Sequence, residues 1–153
     1  MAHFARIERQ HQANANVLLK PHGLKHTEWR ILALTDELGQ ASLTQIVEQV
    51  VIERTTIGKL IDRMVAMGWL HKGKSASDAR TMQVSLSPAG LKVLQATAPA
   101  MHQLMKHYAS VLSGPEYQRL MVTLRTYGTQ VSLGLPPAQR GATDSRQAKQ
   151  RVN

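Results

Sequence analysis

The sequence contains no cysteine, a single phenylalanine and no apolar run that approaches the roughly 18 residues needed to cross a bilayer. The absence of cysteine excludes disulfides, thiolate zinc sites and thiol-based redox sensing. The beginning of the chain also lacks the basic-then-apolar pattern of a secretory signal. We therefore expect a cytoplasmic protein of one domain, whose stability comes from an apolar core.

Signatures of catalysis and of metal binding are missing as well. No Gly-rich phosphate loop, zincin motif or nucleophile elbow occurs in the sequence. Seven histidines are present, but His102 and His107 lie five residues apart, off a common helix face, and His22 and His26 straddle a loop. The sequence therefore predicts no enzyme, no metal site and no cofactor.

Acidic residues are few, and the resulting charge points to an anionic partner. The chain carries 19 Lys and Arg against 10 Asp and Glu, a net charge of +9 with a pI near 10.4. Nucleic acid is the first candidate for such a partner. Residues 91–153 hold eight of the basic and two of the acidic groups, so the net charge alone does not locate a binding face.

Apolar spacing predicts a chain that is mainly helical. A first helix covers residues 4–19, a second is capped by Thr27 and stopped by Gly39, a third covers about 44–50, and a fourth covers 53–68. In the first helix, the side chains expected to face inward are Phe4, Ile7, His11, Asn14 and Leu18.

The second half of the chain begins with alternating residues and continues as two long helices. Residues 69–74 and 81–86 predict a hairpin with the loop SASDA, and Ser87 with Pro88 predicts the start of a long helix that kinks at Pro99. A capping box from Ser113 to Glu116 begins the last helix. The inward seams expected on these two helices are Leu91, Leu94, Ala98, Met101, Met105, Tyr108 and Leu112, then Tyr117, Leu120, Leu124, Tyr127 and Val131.

A short helix, a turn, a longer helix and a hairpin form the order of a winged helix-turn-helix. Residues 27–90 resemble the MarR-type (multiple antibiotic resistance regulator) transcription factors, most specifically in Asp78-x-Arg80 followed by Val84-x-Leu86-Ser87-x-x-Gly90. The resemblance covers all of the chain except the tail. It implies a mainly α fold with a small β-hairpin wing and long dimerisation helices at both ends.

The resemblance also implies a division of the chain into four parts. Residues 1–26 form an N-terminal dimerisation helix and linker, 27–90 a DNA-binding lobe, and 91–135 the C-terminal dimerisation helices. Residues 136–153 are polar and basic with almost no large apolar side chains, which predicts a disordered tail.

In this family arrangement, a two-fold dimer places the fourth helix in the major groove and the wing in the minor groove of DNA. Ile57, Leu60, Ile61 and Met64 are expected to face inward. The predicted DNA-binding residues are Arg54, Thr55, Thr56, Lys59 and Arg63 on the helix, and Lys72, Lys74, Asp78 and Arg80 on the wing.

Two features leave the details of DNA recognition open. Arg63 can instead pair with Asp62 or Glu53 as part of the scaffold. Glu53, Gly58 and the glycine-free turn QVVIE depart from the usual family pattern, so the operator sequence is not predicted.

The expected function is that of a dimeric repressor released by a small aromatic acid, such as a hydroxybenzoate or a pyridine carboxylate. The family resemblance implies this class of effector. The predicted ligand-binding residues are Phe4, His11, Asn14, Trp29 and Arg30, although the polar ones can equally make hydrogen bonds between subunits. The alternative functions are a winged-helix module that binds protein and an architectural DNA-binding protein without an effector.

Overall fold

A computed structural model of the protein describes residues 2–50, 54–74 and 82–132. Within these ranges, the residues up to 107 form one compact unit and those from 108 onwards another. In chain order the elements are α1 (Ala2–Leu19), a 3₁₀ helix (Lys20–His22), α2 (His26–Leu38), β1 (Gln40–Ser42), α3 (Leu43–Val50), α4 (Arg54–Ala66), β2 (Leu70–Lys74), β3 (Met82–Leu86), α5 (Pro88–Ala109) and α6 (Gly114–Ser132). Of the helices in these ranges, none is long and apolar enough to span a membrane.

The strands form one antiparallel sheet in the order β1-β3-β2. The predicted hairpin is confirmed, with Leu70 opposite Leu86 and Lys74 opposite Met82. Strand β1 was not predicted, because three residues are too few for an alternating pattern to be read. It pairs with β3 through Ala41 opposite Val84, and both of these side chains are buried.

Three helix starts show how local sequence sets the boundaries. Helix α2 begins at His26, so the predicted cap at Thr27 is wrong; the Lys25 N–H instead donates to Glu28 Oε2 at 2.8 Å. Helix α3 begins with a capping box, in which the Gln45 N–H donates to Ser42 Oγ and the Ser42 N–H donates to Gln45 Oε1. This capping box was not predicted from the sequence. In the box predicted for α6, the Ser113 N–H donates to Glu116 Oε2 at 2.7 Å.

The core lies between the sheet and helices α2, α3 and α4. The inner face predicted for α4 is confirmed, since Ile57, Ile61 and Met64 are fully buried and Leu60 packs against the core. The buried apolar side chains that share this core include Ile31, Leu32, Ile46, Val50, Leu70 and Val84. Because burial of these side chains is the main source of stability, α4 is fixed to the lobe along one whole face.

Helix α1 does not follow the predicted inward stripe in the single chain. Phe4 and Ile7 are 56% and 66% exposed, and the buried residues of the helix are Ala15 and Leu19. The described side chains of α1 that are fully buried therefore lie in its last turns. The predicted seam of α5 is buried at Leu94 and Met101 but exposed at Ala98 and Met105, and α5 continues on both sides of Pro99.

The Ser87-x-x-Gly90 part of the family motif joins the base of the hairpin to α5. The Ser87 hydroxyl donates to the Gly68 carbonyl at 2.5 Å and accepts the Gly90 N–H at 2.9 Å. The Ser87 N–H donates to the Trp69 carbonyl at 3.0 Å. A Cβ atom at Gly90 would overlap that same carbonyl oxygen, so a glycine is required at this position. This half of the motif has a structural role.

Candidate nucleic-acid interface

Helix α4 combines a buried face with a polar, exposed one. Opposite the buried residues, Thr55, Thr56 and Lys59 are exposed on the first two turns. These side chains are hydrogen-bond donors of the kind that contact phosphates and base edges. Arg54 begins the helix, but its side chain lies outside the described part of the structure.

Arg63, on the third turn of α4, forms an ion pair that crosses the lobe. Its Nη1 lies 2.9 Å from Oε1 of Glu28 on α2, whose side chain is fully buried. Sequence reasoning proposed Asp62 or Glu53 as partners and missed Glu28. No sequence signal would have identified it, because a glutamate in the first turn of a helix is explained by capping alone.

The wing residues are described only in part. Lys72 on β2 forms an ion pair with Asp62 of α4, so its charge is already partly compensated. Lys74 is exposed at the end of the same strand. Asp78 and Arg80 lie in residues 75–81, outside the described ranges.

Arg30 on α2 binds the end of α3. Its guanidinium donates to the carbonyls of Gln49, at 2.7 Å, and of Val50, at 3.4 Å. The last carbonyls of a helix lack intrahelical partners and carry partial negative charge, so a guanidinium is a favourable cap. Arg30 therefore holds the last residues of α3.

Two histidines meet between α1 and α2. The rings of His11 and His26 are in edge-to-face contact, with centroids 4.7 Å apart. Burial lowers the pKa of His26 to about 4, with smaller contributions from His11 and Arg30 that Glu8 opposes. His26 is therefore neutral at neutral pH. Sequence reasoning considered His26 only as a metal ligand and missed this buried position.

The other predicted ligand-binding residues are spread over the same region. Asn14 accepts a hydrogen bond from Gln10 at 3.0 Å on α1, and Phe4 is mostly exposed. Trp29 packs against the core, and its buried indole N–H has no hydrogen-bond partner among the described residues. A cleft of about 370 Å³ beside the 3₁₀ helix contains none of the predicted ligand-binding residues; it is lined by Asn16, Lys20, Gly23, Leu24 and Lys25.

The successive helices α3 and α4, followed by the hairpin β2–β3, define a winged helix-turn-helix protein. The model of the MarR family matches residues 24–82. The HTH-type transcriptional repressor IacR of Pseudomonas putida is 28% identical over 116 residues, which cover 76% of this chain and 70% of IacR.

Two solved structures have the same fold. Bordetella bronchiseptica BpsR, whose structure concerns regulation of DNA binding by 6-hydroxynicotinic acid, is 22% identical with a TM-score of 0.73, covering 84% of this chain and 92% of BpsR. A mutant of Escherichia coli MarR complexed with operator DNA is 16% identical with a TM-score of 0.69, and the match covers 81% of this chain and 89% of the MarR chain. The chain therefore has the winged helix-turn-helix fold of E. coli MarR, and its relative IacR is a transcriptional repressor.

Proposed function

We propose that the protein is a dimeric repressor that binds a pseudo-palindromic DNA operator through α4 and the wing, and that a small aromatic acid releases it. The observation that carries DNA binding is the two-faced character of α4. Ile57, Ile61 and Met64 on its inner face are fully buried, which fixes the helix. At its start, polar side chains are exposed, namely Thr55, Thr56 and Lys59. Recognition helices contact base edges with their N-terminal residues.

The proposed contacts fall into two groups. Arg54, Thr55, Thr56 and Lys59 meet the major groove, and Lys72, Lys74 and Arg80 meet the backbone and minor groove, with Asp78 orienting the Arg80 guanidinium. The operator complex of the E. coli relative supports duplex DNA as the partner. Arg63 differs from these residues, because its guanidinium is paired with a fully buried carboxylate, whereas the Asp62 partner of Lys72 is exposed.

Replacing Lys59 with alanine is expected to weaken operator binding by removing a phosphate contact. The probe is a fluorescent duplex recovered from a random library by the wild-type protein, and anisotropy is measured over a range of salt concentrations. The slope of log affinity against log salt should decrease in magnitude by about 0.9 for each phosphate that the variant no longer neutralises.

The matched control for this experiment is Lys20→Ala, which removes an exposed lysine that lies on neither α4 nor the wing. Its slope should equal that of the wild type. An unchanged slope for Lys59→Ala would place the DNA contact elsewhere. Absence of any salt-dependent binding by the wild type would favour the protein-binding alternative.

Dimerisation is supported by the apolar side chains that the single chain leaves exposed on its terminal helices. Ile7 and Val17 of α1 and Val122 and Val131 of α6 are each at least 60% exposed. Exposed apolar surface of this extent favours burial against another subunit. The two α4 helices of the dimer would lie about 34–36 Å apart, which matches half-sites one helical turn apart.

Sedimentation at micromolar concentration is expected to give a dimer, and removal of the residues after Leu135 should leave that dimer intact. Leu124→Glu, which adds a charge to an exposed apolar position of α6, should shift the equilibrium towards monomer. A wild-type monomer, or dissociation of the dimer on removal of the tail alone, contradicts the proposed interface.

The effector is proposed to bind near the junction of α1 and α2. Arg30 or His11 would meet the carboxylate, Trp29 and Phe4 would flank the aromatic ring, and Asn14 would supply a further polar contact. Two observations support this: the buried indole N–H of Trp29, which has no hydrogen-bond partner in the described part of the chain, and the regulation of BpsR by 6-hydroxynicotinic acid. A ligand that displaces Arg30 would act on the end of α3, the helix that precedes α4 in the chain.

A small aromatic acid is expected to weaken operator binding by about 5- to 150-fold, the range typical of coupling between two sites. Calorimetry against hydroxybenzoates and pyridine carboxylates identifies the acid, and anisotropy with and without it gives the ratio of affinities. Arg30→Ala should reduce this ratio of DNA affinities by a larger factor than it reduces the DNA affinity measured in the absence of the acid. An acid that binds without changing DNA affinity would favour the architectural alternative.

A further inference from the structure

We infer that Arg63 contributes to DNA binding by positioning α4 through the buried carboxylate of Glu28, and not by neutralising a DNA phosphate. The inference rests on the proposed function, because it concerns how the proposed recognition helix is held. It also gives α2 a defined part in DNA binding, although α2 itself carries none of the proposed DNA contacts.

Both oxygens of the Glu28 carboxylate are used within the lobe. Oε1 forms an ion pair with Arg63 Nη1 at 2.9 Å but accepts no hydrogen bond from a described residue, and Oε2 accepts the Lys25 N–H at 2.8 Å. The side chain is fully buried, so water does not compete for either oxygen. One carboxylate thus connects the first turn of α2 to the third turn of α4.

Electrostatics favours the internal partner of Arg63 over a phosphate. A buried carboxylate is stable in its charged form only when a cation or several hydrogen bonds compensate it. If the guanidinium moved to a phosphate, the buried Glu28 carboxylate would keep, among the described residues, only the Lys25 N–H as partner. The Arg63 charge is therefore largely cancelled at the protein surface, although its side chain is 47% exposed.

Lys59, one turn earlier on α4, shows the contrast. It is exposed, and among the residues the structure describes it has no ion-pair partner. Its charge is free to displace counterions from a phosphate, whereas that of Arg63 is not. The two cations of the same helix should therefore respond differently to salt.

Helix α2 also holds the other member of the helix-turn-helix. Two residues after Glu28, Arg30 donates to the carbonyls at the end of α3. Side chains of one helix thus contact both α3 and α4. A change at either contact should alter the presentation of α4 without altering the number of phosphates bound.

The test compares wild type, Arg63→Gln, Glu28→Gln and the double variant on the library-selected duplex over a range of salt. Each single variant is expected to bind about 5- to 20-fold more weakly with the wild-type salt slope, and the double variant no more weakly than the weaker single one. Lys59→Ala, measured in parallel, should instead reduce the slope. Circular dichroism and urea unfolding confirm that each variant is folded.

A direct phosphate contact by Arg63 gives the opposite pattern and overturns the inference. Arg63→Gln would then reduce the slope, and Glu28→Gln would keep or increase affinity because it frees the guanidinium. If Glu28→Gln does not fold, the slope of Arg63→Gln and of the double variant decides between the two roles. An unchanged slope for Lys59→Ala rejects the proposed contact face, and a wild type that binds no duplex rejects the proposed function as well.

Discussion

Replacing Gly90 with alanine is expected to lower the free energy of unfolding by about 1–3 kcal/mol, the usual cost of inserting a methyl group where no space exists. The added Cβ would overlap the Trp69 carbonyl oxygen, which already accepts the Ser87 N–H. Backbone atoms cannot move aside as the end of a long side chain can. The hairpin base and the start of α5 must therefore separate, and urea unfolding monitored by circular dichroism measures the decrease in stability.

Gly58→Ala is the matched control, since it makes the same change inside a helix. A Cβ at Gly58 meets no described atom within 4 Å, and alanine is favoured over glycine in helices by about 1 kcal/mol. This variant should be as stable as the wild type or more so. Equal stability of the Gly90 and Gly58 variants would show that the close approach of Gly90 to Trp69 does not constrain the fold.

Acidification from about pH 7.5 to about pH 5 is expected to remove about 2 kcal/mol of stability through His26 alone. The pKa of this imidazole is about 4 in the folded chain and 6.5 without its environment. Below the pKa of the unfolded chain, that chain binds the proton more readily than the folded chain does. The free energy of unfolding therefore falls as the pH decreases from about 6.5 towards 4. Above that pH range the His26 imidazole is neutral in both the folded and the unfolded chain, and the full stability is present.

Urea unfolding of the wild type and of His26→Gln at several pH values isolates this effect, because other titrating groups cancel in the difference. The wild type should lose more stability than the variant as the pH falls. His102→Gln, which removes an exposed imidazole, should keep the wild-type pH dependence. Parallel curves for wild type and His26→Gln would contradict the buried, neutral state of His26.

Features encoded within a few consecutive residues were predictable from the sequence. The buried face of α4 follows from Ile57, Ile61 and Met64 at helical spacing, and the hairpin from the alternation of residues 82–86. The Ser113 box follows from two residues three apart. In each case the residues that interact are neighbours in sequence, so the pattern itself contains the contact.

Contacts between distant residues were not predictable. Glu28 and Arg63 lie 35 residues apart, and a buried acid in the first turn of a helix has the same sequence signature as an exposed cap. The exposed stripe of α1 was predicted to face inward because periodicity shows that a face is apolar but not what covers it. The position of His26 depends on packing between two helices, which its loop-like sequence surroundings do not indicate.

The three residues of β1 have a mechanical consequence. Strand β3 bonds to β2 on one edge and to β1 on the other, and β1 runs directly into α3. Opening the wing at its base therefore requires breaking backbone hydrogen bonds to the segment that begins the helix-turn-helix. The base of the wing and the start of α3 are thus expected to open together as one cooperative unit in native-state exchange, so that the hairpin base cannot fray while the start of α3 stays intact.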